Sequence, residues 1–300
     1  MQDNHPPIQY PHFLHSEIDQ GMPEESFFHV IPVPWEDSVS YGGGTCFGPS
    51  AILQASKQLE LWDGKSRPAD LGIYTAPVVD CFGDGEQVTA KIAQATKQTL
   101  ALGKMPVVLG GEHSVTWGVI KAYLESGFIK EGKPTIGVVQ IDAHADLRHA
   151  YEDNLYSHAS VMKRIVEQGI PLYQLGIRAF CEEEIQARKD YGVHFVDGDE
   201  IVPKRIQSIT LPDDFPDNVF FTVDIDGIDP SVFPSTGTPI PGGLDWYQTL
   251  NLFESVAKQR YIVGFDIMEF APINGFHAYD FAAALLTYKL MGIVQRNMIK

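Results

Sequence analysis

The chain has 300 residues, 44% of them hydrophobic and 20% charged, with a formal net charge of −17. That length and apolar content suffice for one large folded domain with a sizeable core. The acidic balance excludes the basic footprint of a nucleic-acid binder and argues against an anionic membrane surface, while leaving room for a small cationic ligand.

Taken from the start, residues 1–24 read as a polar N-terminal arm, with three prolines among the first 20 positions and no apolar signal-peptide segment, and 25–300 read as one domain. No apolar run approaches the roughly 20 residues of a membrane span. The three cysteines (Cys46, Cys81, Cys181) are odd in number and widely spaced. They predict reduced thiols and a cytoplasmic protein, not a disulfide framework or a zinc knuckle.

Phe27 to Val33 is a first apolar strand closed by Pro34, and Ser38 to Thr45 is a glycine-rich loop. The loop lacks the spacing of a dinucleotide fingerprint or a P-loop, so it reads as flexible or as closely approached by other backbone. Pro49 to Leu59 predicts a helix, Leu71 to Val79 a strand, and Glu86 to Leu102 an amphipathic helix. Met105 to Leu109 is a third strand, followed by a helix through Tyr123, and Val138 to Ile141 is a fourth. Ser157 to Gln168 reads as a helix with Ser157 as N-cap. Leu172 to Ile177, Val193 to Val196, Val219 to Val223 and Ile262 to Ile267 complete eight strands. Gly237 to Gly243 is a Gly/Pro loop, and Trp246 to Lys258 and Tyr279 to Val294 are helices. Continuously apolar strands alternating with helices predict an α/β fold with a mostly parallel sheet covered on both faces.

The chemistry gathers where strands run out. After Ile141 come Asp142, His144 and Asp146 at every second position, after Val223 come Asp224 and Asp226, and after Leu109 comes Gly110-Gly111-Glu112-His113-Ser114. In extended backbone, alternate side chains share a face, and ligands of open α/β sheets bind beyond the carboxyl ends of strands. Each residue alone has an ordinary explanation, as a turn former or a satisfied histidine. Together, the six O and N donors point to divalent metal. They are too many for one tetrahedral ion and suit two ions sharing bridging carboxylates, with Mn, Fe, Ni or Zn as candidates. The stretch from Asp224 to Asp229 does not fit a calcium EF-hand, because its glycine stands fourth and Ser235 takes the twelfth position. Two metals at such a site can activate a water, which is hydrolytic chemistry. His158 is a candidate acid or proton shuttle. Glu269, just past the last strand, is a candidate partner for a cationic substrate head, with a surface or capping role as the plainer alternative.

Gly110-Gly111-Glu112-His113-Ser114, Asp142-Ala143-His144-Ala145-Asp146, the run from Asp224 to Pro230, Gly237-Thr238-Pro239 and Gly242-Gly243-Leu244 resemble the ureohydrolase family of arginases, agmatinases and relatives. The resemblance spans Phe27 to Val294. It implies a three-layer α/β/α arginase-like fold and a binuclear Mn(II) centre, with nickel known among relatives. One ion would take His113, Asp142, Asp146 and Asp224, and the other Asp142, His144, Asp224 and Asp226. It further implies that a metal-bridging hydroxide attacks a guanidinium held by Glu269, that Asp226 or a neighbouring carboxylate relays the proton, and that His158 shuttles protons or touches substrate. The loop from Leu147 to His158, with Asp146-Leu147-Arg148 and Gly176-Ile177-Arg178, resembles the agmatinase-like branch. Agmatine, cleaved to putrescine and urea, is the expected substrate. Guanidinobutyrate, aminopropylagmatine, guanidine and arginine are the alternatives, along with a one-metal deacetylase-type hydrolase and a non-catalytic metal-binding protein. Family likeness also implies a homo-oligomer, a trimer or hexamer.

Overall fold

In the computed structural model, which describes residues 10–298, the strands are β1 (Phe28–Val33), β2 (Ile73–Thr75), β3 (Met105–Gly110), β4 (Ile129–Lys130), β5 (Lys133–Pro134), β6 (Ile136–Ile141), β7 (Leu172–Leu175), β8 (His194–Val196), β9 (Asn218–Asp224) and β10 (Tyr261–Met268). The α-helices are α1 (Gly48–Ser56), α2 (Gly85–Ala101), α3 (Val115–Glu125), α4 (Val161–Val166), α5 (Glu182–Asp190), α6 (Gly198–Ile201), α7 (Trp246–Ala257) and α8 (Ala278–Asn297). Eight strands form one sheet in the order β2-β1-β3-β10-β9-β6-β7-β8. Every neighbouring pair in it is parallel. The eight-stranded parallel expectation therefore holds, and the small antiparallel hairpin of β4 and β5 is an addition the sequence did not announce.

Period-two alternation sorts the strands' residues onto two faces. Val139, Ile141, Val219, Phe221, Val223 and Phe265 pack with residues of α1, α7 and α8. Ile136, Val138, Phe220 and Val108 pack with residues of α2, α3, α4 and α5. Helices thus cover both faces, and continuous apolar runs are the consequence. Full burial of Phe220 and Phe221 stabilises by roughly 1.5–3 kcal/mol each. Capping boxes start α2 at Asp84 and Gln87, and α7 at Asp245 and Gln248, each satisfying two otherwise orphaned backbone donors.

Three elements differ from expectation. The strand expected over Leu71 to Val79 is only Ile73–Thr75. A 3-10 turn occupies Pro68–Leu71, Gly72 turns at φ 77, and Pro77 lacks the donor a longer ladder needs. Ser157 does not cap a helix. Its hydroxyl faces that of Ser160, a 3-10 turn covers His158–Ser160, and α4 begins only at Val161. The strand expected to reach Ile177 stops at Leu175, where Gly176 turns at φ 86. Near the start of the described chain, Phe13 and Leu14 are fully buried. Their amides donate to Thr75 Oγ1 and Ser56 Oγ, both at 2.9 Å. Among the described residues, no helix is long and apolar enough to cross a membrane.

Candidate metal centre

The carboxyl ends of β3, β6 and β9 meet on one rim. Gly111 makes the approach of β3 possible, since a Cβ there would stand 1.8 Å from the Trp35 carbonyl oxygen. Beyond it lies His113, at the foot of α3. After β6, the Asp142 amide donates a hydrogen bond to the Leu175 carbonyl, and His144 forms a parallel bridge with Ala179. The regular alternation then breaks, because Asp146 takes φ 54. That left-handed turn is uncommon for a residue with a Cβ, and its carboxylate still reaches His113. Asp224 is the last residue of β9, and its Oδ1 accepts from the Asp226 amide at 2.8 Å.

The side chains form two groups that share one residue. His113 Nδ1 lies 3.0 Å from Asp142 Oδ2, 3.1 Å from Asp146 Oδ2 and 3.1 Å from Asp224 Oδ2. His144 Nδ1 lies 3.0 Å from Asp226 Oδ2 and 3.6 Å from Asp142 Oδ1. His113, Asp142 and Asp224 offer donor atoms within 4.8 Å of one another, as do Asp142, His144 and Asp226. The two oxygens of Asp142 therefore face different histidines, the disposition a bridging carboxylate needs.

These residues fit divalent cations on two observations. The buried His113 Nδ1 makes no hydrogen bond of acceptable geometry, although three carboxylate oxygens crowd it. The local charge is also unresolved. Burial pushes Asp224 well above the usual carboxylate range, reinforced by Asp226 and Asp142. Burial and Asp142 push Asp146 up to about 7. Against burial, the charge of Asp226 and bonds to Asp142 and Asp226 push His144 up to about 12. Packed acids that cannot all ionise side by side are what bound cations relieve.

Glu269 and His158 stand beside this centre. Both line a small cavity together with Ser38, Ser40, Glu112 and Thr238. Glu269 follows β10 directly, takes φ 59, and accepts from the His113 amide through Oε1 at 2.7 Å. With Asp146 it makes two left-handed non-glycine residues on one rim, a local strain of the kind that gathers at functional sites. Burial and the nearby Glu112 charge push Glu269 well above its ordinary pKa. His158 is lowered to about 4 by burial and by the His144 and His113 charges. Its ring nitrogens contact Ser38 Oγ at 2.9 Å and Ser40 Oγ at 2.8 Å.

Several residues had no role in the sequence reading. Glu112 is buried, and accepts from the Asp37 and Ser38 amides at 2.7 Å each and from the Ser38 and Ser114 hydroxyls. It anchors the segment that meets His158. Glu36 holds the glycine-rich loop by accepting from the amides of Gly44 and Thr45 and from the Thr45 hydroxyl. That loop is closely approached: Gly42 N–H donates to Gly237 O, and a Cβ on Gly237 would stand 2.4 Å from Gly42 O. Asp229 is no ligand. It ties the loop at Gly242 and Gly243 through their amides, and those bonds with Ser231 outweigh partial burial to lower it to about 2. Arg178 pins the same region, donating to the carbonyls of Asp226 and Ile240 at 2.6 and 2.7 Å.

The profile described as "Arginase family" matches residues 27–292. The N(1)-aminopropylagmatine ureohydrolase of Synechocystis sp. is 39% identical, over 93% of this chain and 92% of its own. The N(1)-aminopropylagmatine ureohydrolase of Thermus thermophilus is 35% identical, over 90% of this chain and 91% of its own. Among solved structures, the agmatine ureohydrolase of Thermoplasma volcanium superposes with a TM-score of 0.81 at 27% identity, covering 96% of each chain.

Proposed function

The chain belongs to the arginase family, and from that premise we propose that it hydrolyses a cationic guanidino compound to urea and an amine. The observation that carries this reading is the pair of Asp/His groups sharing Asp142 beside a cavity that holds Glu269 and His158. Two divalent ions held by His113, Asp142, His144, Asp146, Asp224 and Asp226 would supply the Lewis acidity that makes water nucleophilic at neutral pH.

The chain's own groups supply the rest. Glu269 is a buried carboxylate fixed at one oxygen by the His113 amide, which leaves the other for a guanidinium. A cationic head there offsets the burial that disfavours its charge. His158, lowered to about 4, is neutral near pH 7 and lines the same cavity as Glu269, where it can take the proton that the attacking water loses and pass it to the departing nitrogen or to solvent. Asp226 accepts from the Ala143 amide and the Thr238 hydroxyl, a position from which it relays the proton to the departing amine.

Among guanidino substrates, N(1)-aminopropylagmatine is the favoured reading, because the relatives at 39% and 35% identity bear that name. Agmatine is the second, supported by the loop from Leu147 to His158 and by the Thermoplasma structure. Manganese is the expected metal, the protein a cytoplasmic homo-oligomer, and residues 25–300 one domain preceded by an arm, of which residues 1–9 lie outside the described residues and Phe13 and Leu14 pack into the domain's core. Three unpaired cysteines are consistent with a reducing compartment.

The test is urea release from N(1)-aminopropylagmatine, agmatine and arginine by manganese-loaded protein, with bound metal counted in the same sample. A higher kcat/KM on the aminopropyl compound supports the favoured substrate. A preference for agmatine moves the choice to the second reading. Two bound ions with no urea from any guanidino compound sinks the enzymatic reading altogether.

A further inference from the structure

Four buried polar residues interrupt four apolar strands at a single level. In the register of the sheet, Gln174 on β7 pairs with Gln140 on β6, Gln140 with Thr222 on β9, and Thr222 with Asp266 on β10. All four are fully buried, where polar side chains persist only if they are hydrogen-bonded. The row lies two residues before Asp142 and Asp224, on the face covered by α3 and α4.

Its hydrogen bonds lead toward the centre. Arg188 Nε–H donates to Gln174 Oε1 at 2.8 Å, and Gln174 Nε2–H donates to Gln140 Oε1 at 2.7 Å. Gln140 Nε2–H then donates to Asp142 Oδ2 at 2.7 Å. Since an amide nitrogen only donates and an amide oxygen only accepts, this order of donors admits no reversal. On the other side, His113 Nε2 meets Thr222 Oγ1 at 2.8 Å, and Thr116 links Thr222, at 3.4 Å, to Asp266 Oδ2, at 2.8 Å. With a carboxylate at its end, that arm places the imidazole proton on Nε2 and turns the Nδ1 lone pair toward the acids.

We propose that the row Gln174-Gln140-Thr222-Asp266 is a positioning floor for the metal centre, with one arm orienting Asp142 and the other fixing the tautomer of His113. These are positioning residues, since they touch neither substrate nor reacting atoms. The inference rests on the metal reading of Asp142 and His113. It also assigns different reach to the arms. The glutamine arm acts on the shared residue and so on both ions, whereas the threonine arm acts on the ion that His113 holds.

The experiment is a chelator titration of manganese-loaded full-length protein, with bound metal counted at each step and the melting temperature of the metal-free protein recorded beside it. The expected result is that Gln140→Met releases both ions at a free-metal level about 10–100-fold higher than wild type. Thr222→Val releases one ion early by a similar factor, and Thr222→Ser, which keeps the hydroxyl, restores wild-type retention. Wild-type retention by both Gln140→Met and Thr222→Val overturns the inference, as does a shift in only one of them. Loss in Thr222→Ser equal to that in Thr222→Val overturns it too, by making packing the cause. If Gln140→Met does not fold, the two Thr222 variants decide alone. Wild-type protein that binds no metal would instead defeat the metal reading itself, so the two failures are distinguishable.

Discussion

Ser38 and His158, 120 residues apart, are joined twice: Ser38 Oγ meets His158 Nδ1 at 2.9 Å and accepts from the His158 amide at 3.1 Å. The same hydroxyl donates to Glu112 Oε1 at 3.1 Å. With its proton committed to Glu112, Ser38 can only accept from the ring. The Nδ1 of His158 therefore carries the hydrogen, and Nε2, facing Ser40, is the basic nitrogen. Removing the hydroxyl frees the ring to rotate and to change tautomer. Ser38→Ala is expected to lower kcat by about 10-fold or more while leaving metal content unchanged. Steady-state rates with metal counted in the same sample check this, and an unaltered kcat would separate His158 from the chemistry.

Asp142 serves both Asp/His groups and His144 only one. Asp142→Ala is expected to lose both ions and all turnover, and His144→Ala to keep the ion held by His113, Asp142, Asp146 and Asp224. Asp224→Ala, which removes the other expected bridge, should behave as Asp142→Ala does. Metal analysis after gel filtration reads the difference. Two ions retained by Asp142→Ala would break the bridging assignment.

Glu269→Gln keeps the volume and removes the charge. Both ions should stay bound, and kcat/KM should fall by about 100-fold or more with the loss of the charged clamp. Normal turnover by this variant would show that another group holds the guanidinium.

The pH dependence of stability carries a signature of His158. The unfolded chain protonates this residue near 6.5, and the folded protein only near 4. Between those values the unfolded state binds more protons, so stability falls as pH drops through that window. Denaturant midpoints of metal-free protein at pH 7 and pH 5 should fall less in His158→Asn than in wild type. An equal fall in both proteins would show that the imidazole is not held neutral.

Arg188 is buried and makes paired bonds of 2.9 Å to both oxygens of Asp197. Its guanidinium also lies over the rings of Phe195 and Phe180, at 4.4 and 5.1 Å. Truncation strands the partner carboxylate and leaves a hole between the rings. Arg188→Ala is expected to lose roughly 3–5 kcal/mol of stability, read from chemical denaturation. A change below about 1 kcal/mol would mark the pair as dispensable.

The sheet and the rim were legible because both are written locally. Continuous runs such as Val-Val-Gln-Ile and Val-Phe-Phe-Thr-Val announce buried strands, and the acids sit immediately after them. Glu112 and Ser38 were not legible as a group, since the contacts that define them join residues as far apart as 75 and 120 positions; Glu36 works within ten residues, but on backbone amides that its residue type does not announce. Gln140, Gln174, Thr222 and Asp266 were visible as polar interruptions of strands, but only the register shows that they align. Ser157 looked like a helix cap by residue type, yet its hydroxyl found Ser160 instead. Asp229 looked like part of the acidic motif, and its carboxylate proved to hold a loop. Local pattern names residue types, and tertiary register decides which of them meet.

The position of β10 governs when the centre can exist at all. This last strand of the chain lies between β3 and β9, so it separates the strand that leads to His113 from the strand that ends at Asp224. Until β10 is made and inserted, the middle of the sheet is open and the two residues have no common frame. β6 and β9 pair directly, so Asp142 and Asp224 share a frame without β10, and it is His113 that the last strand brings to them. A chain truncated before Tyr261 keeps all six candidate ligands in its sequence but lacks the strand that sets β3, and His113 after it, beside β9.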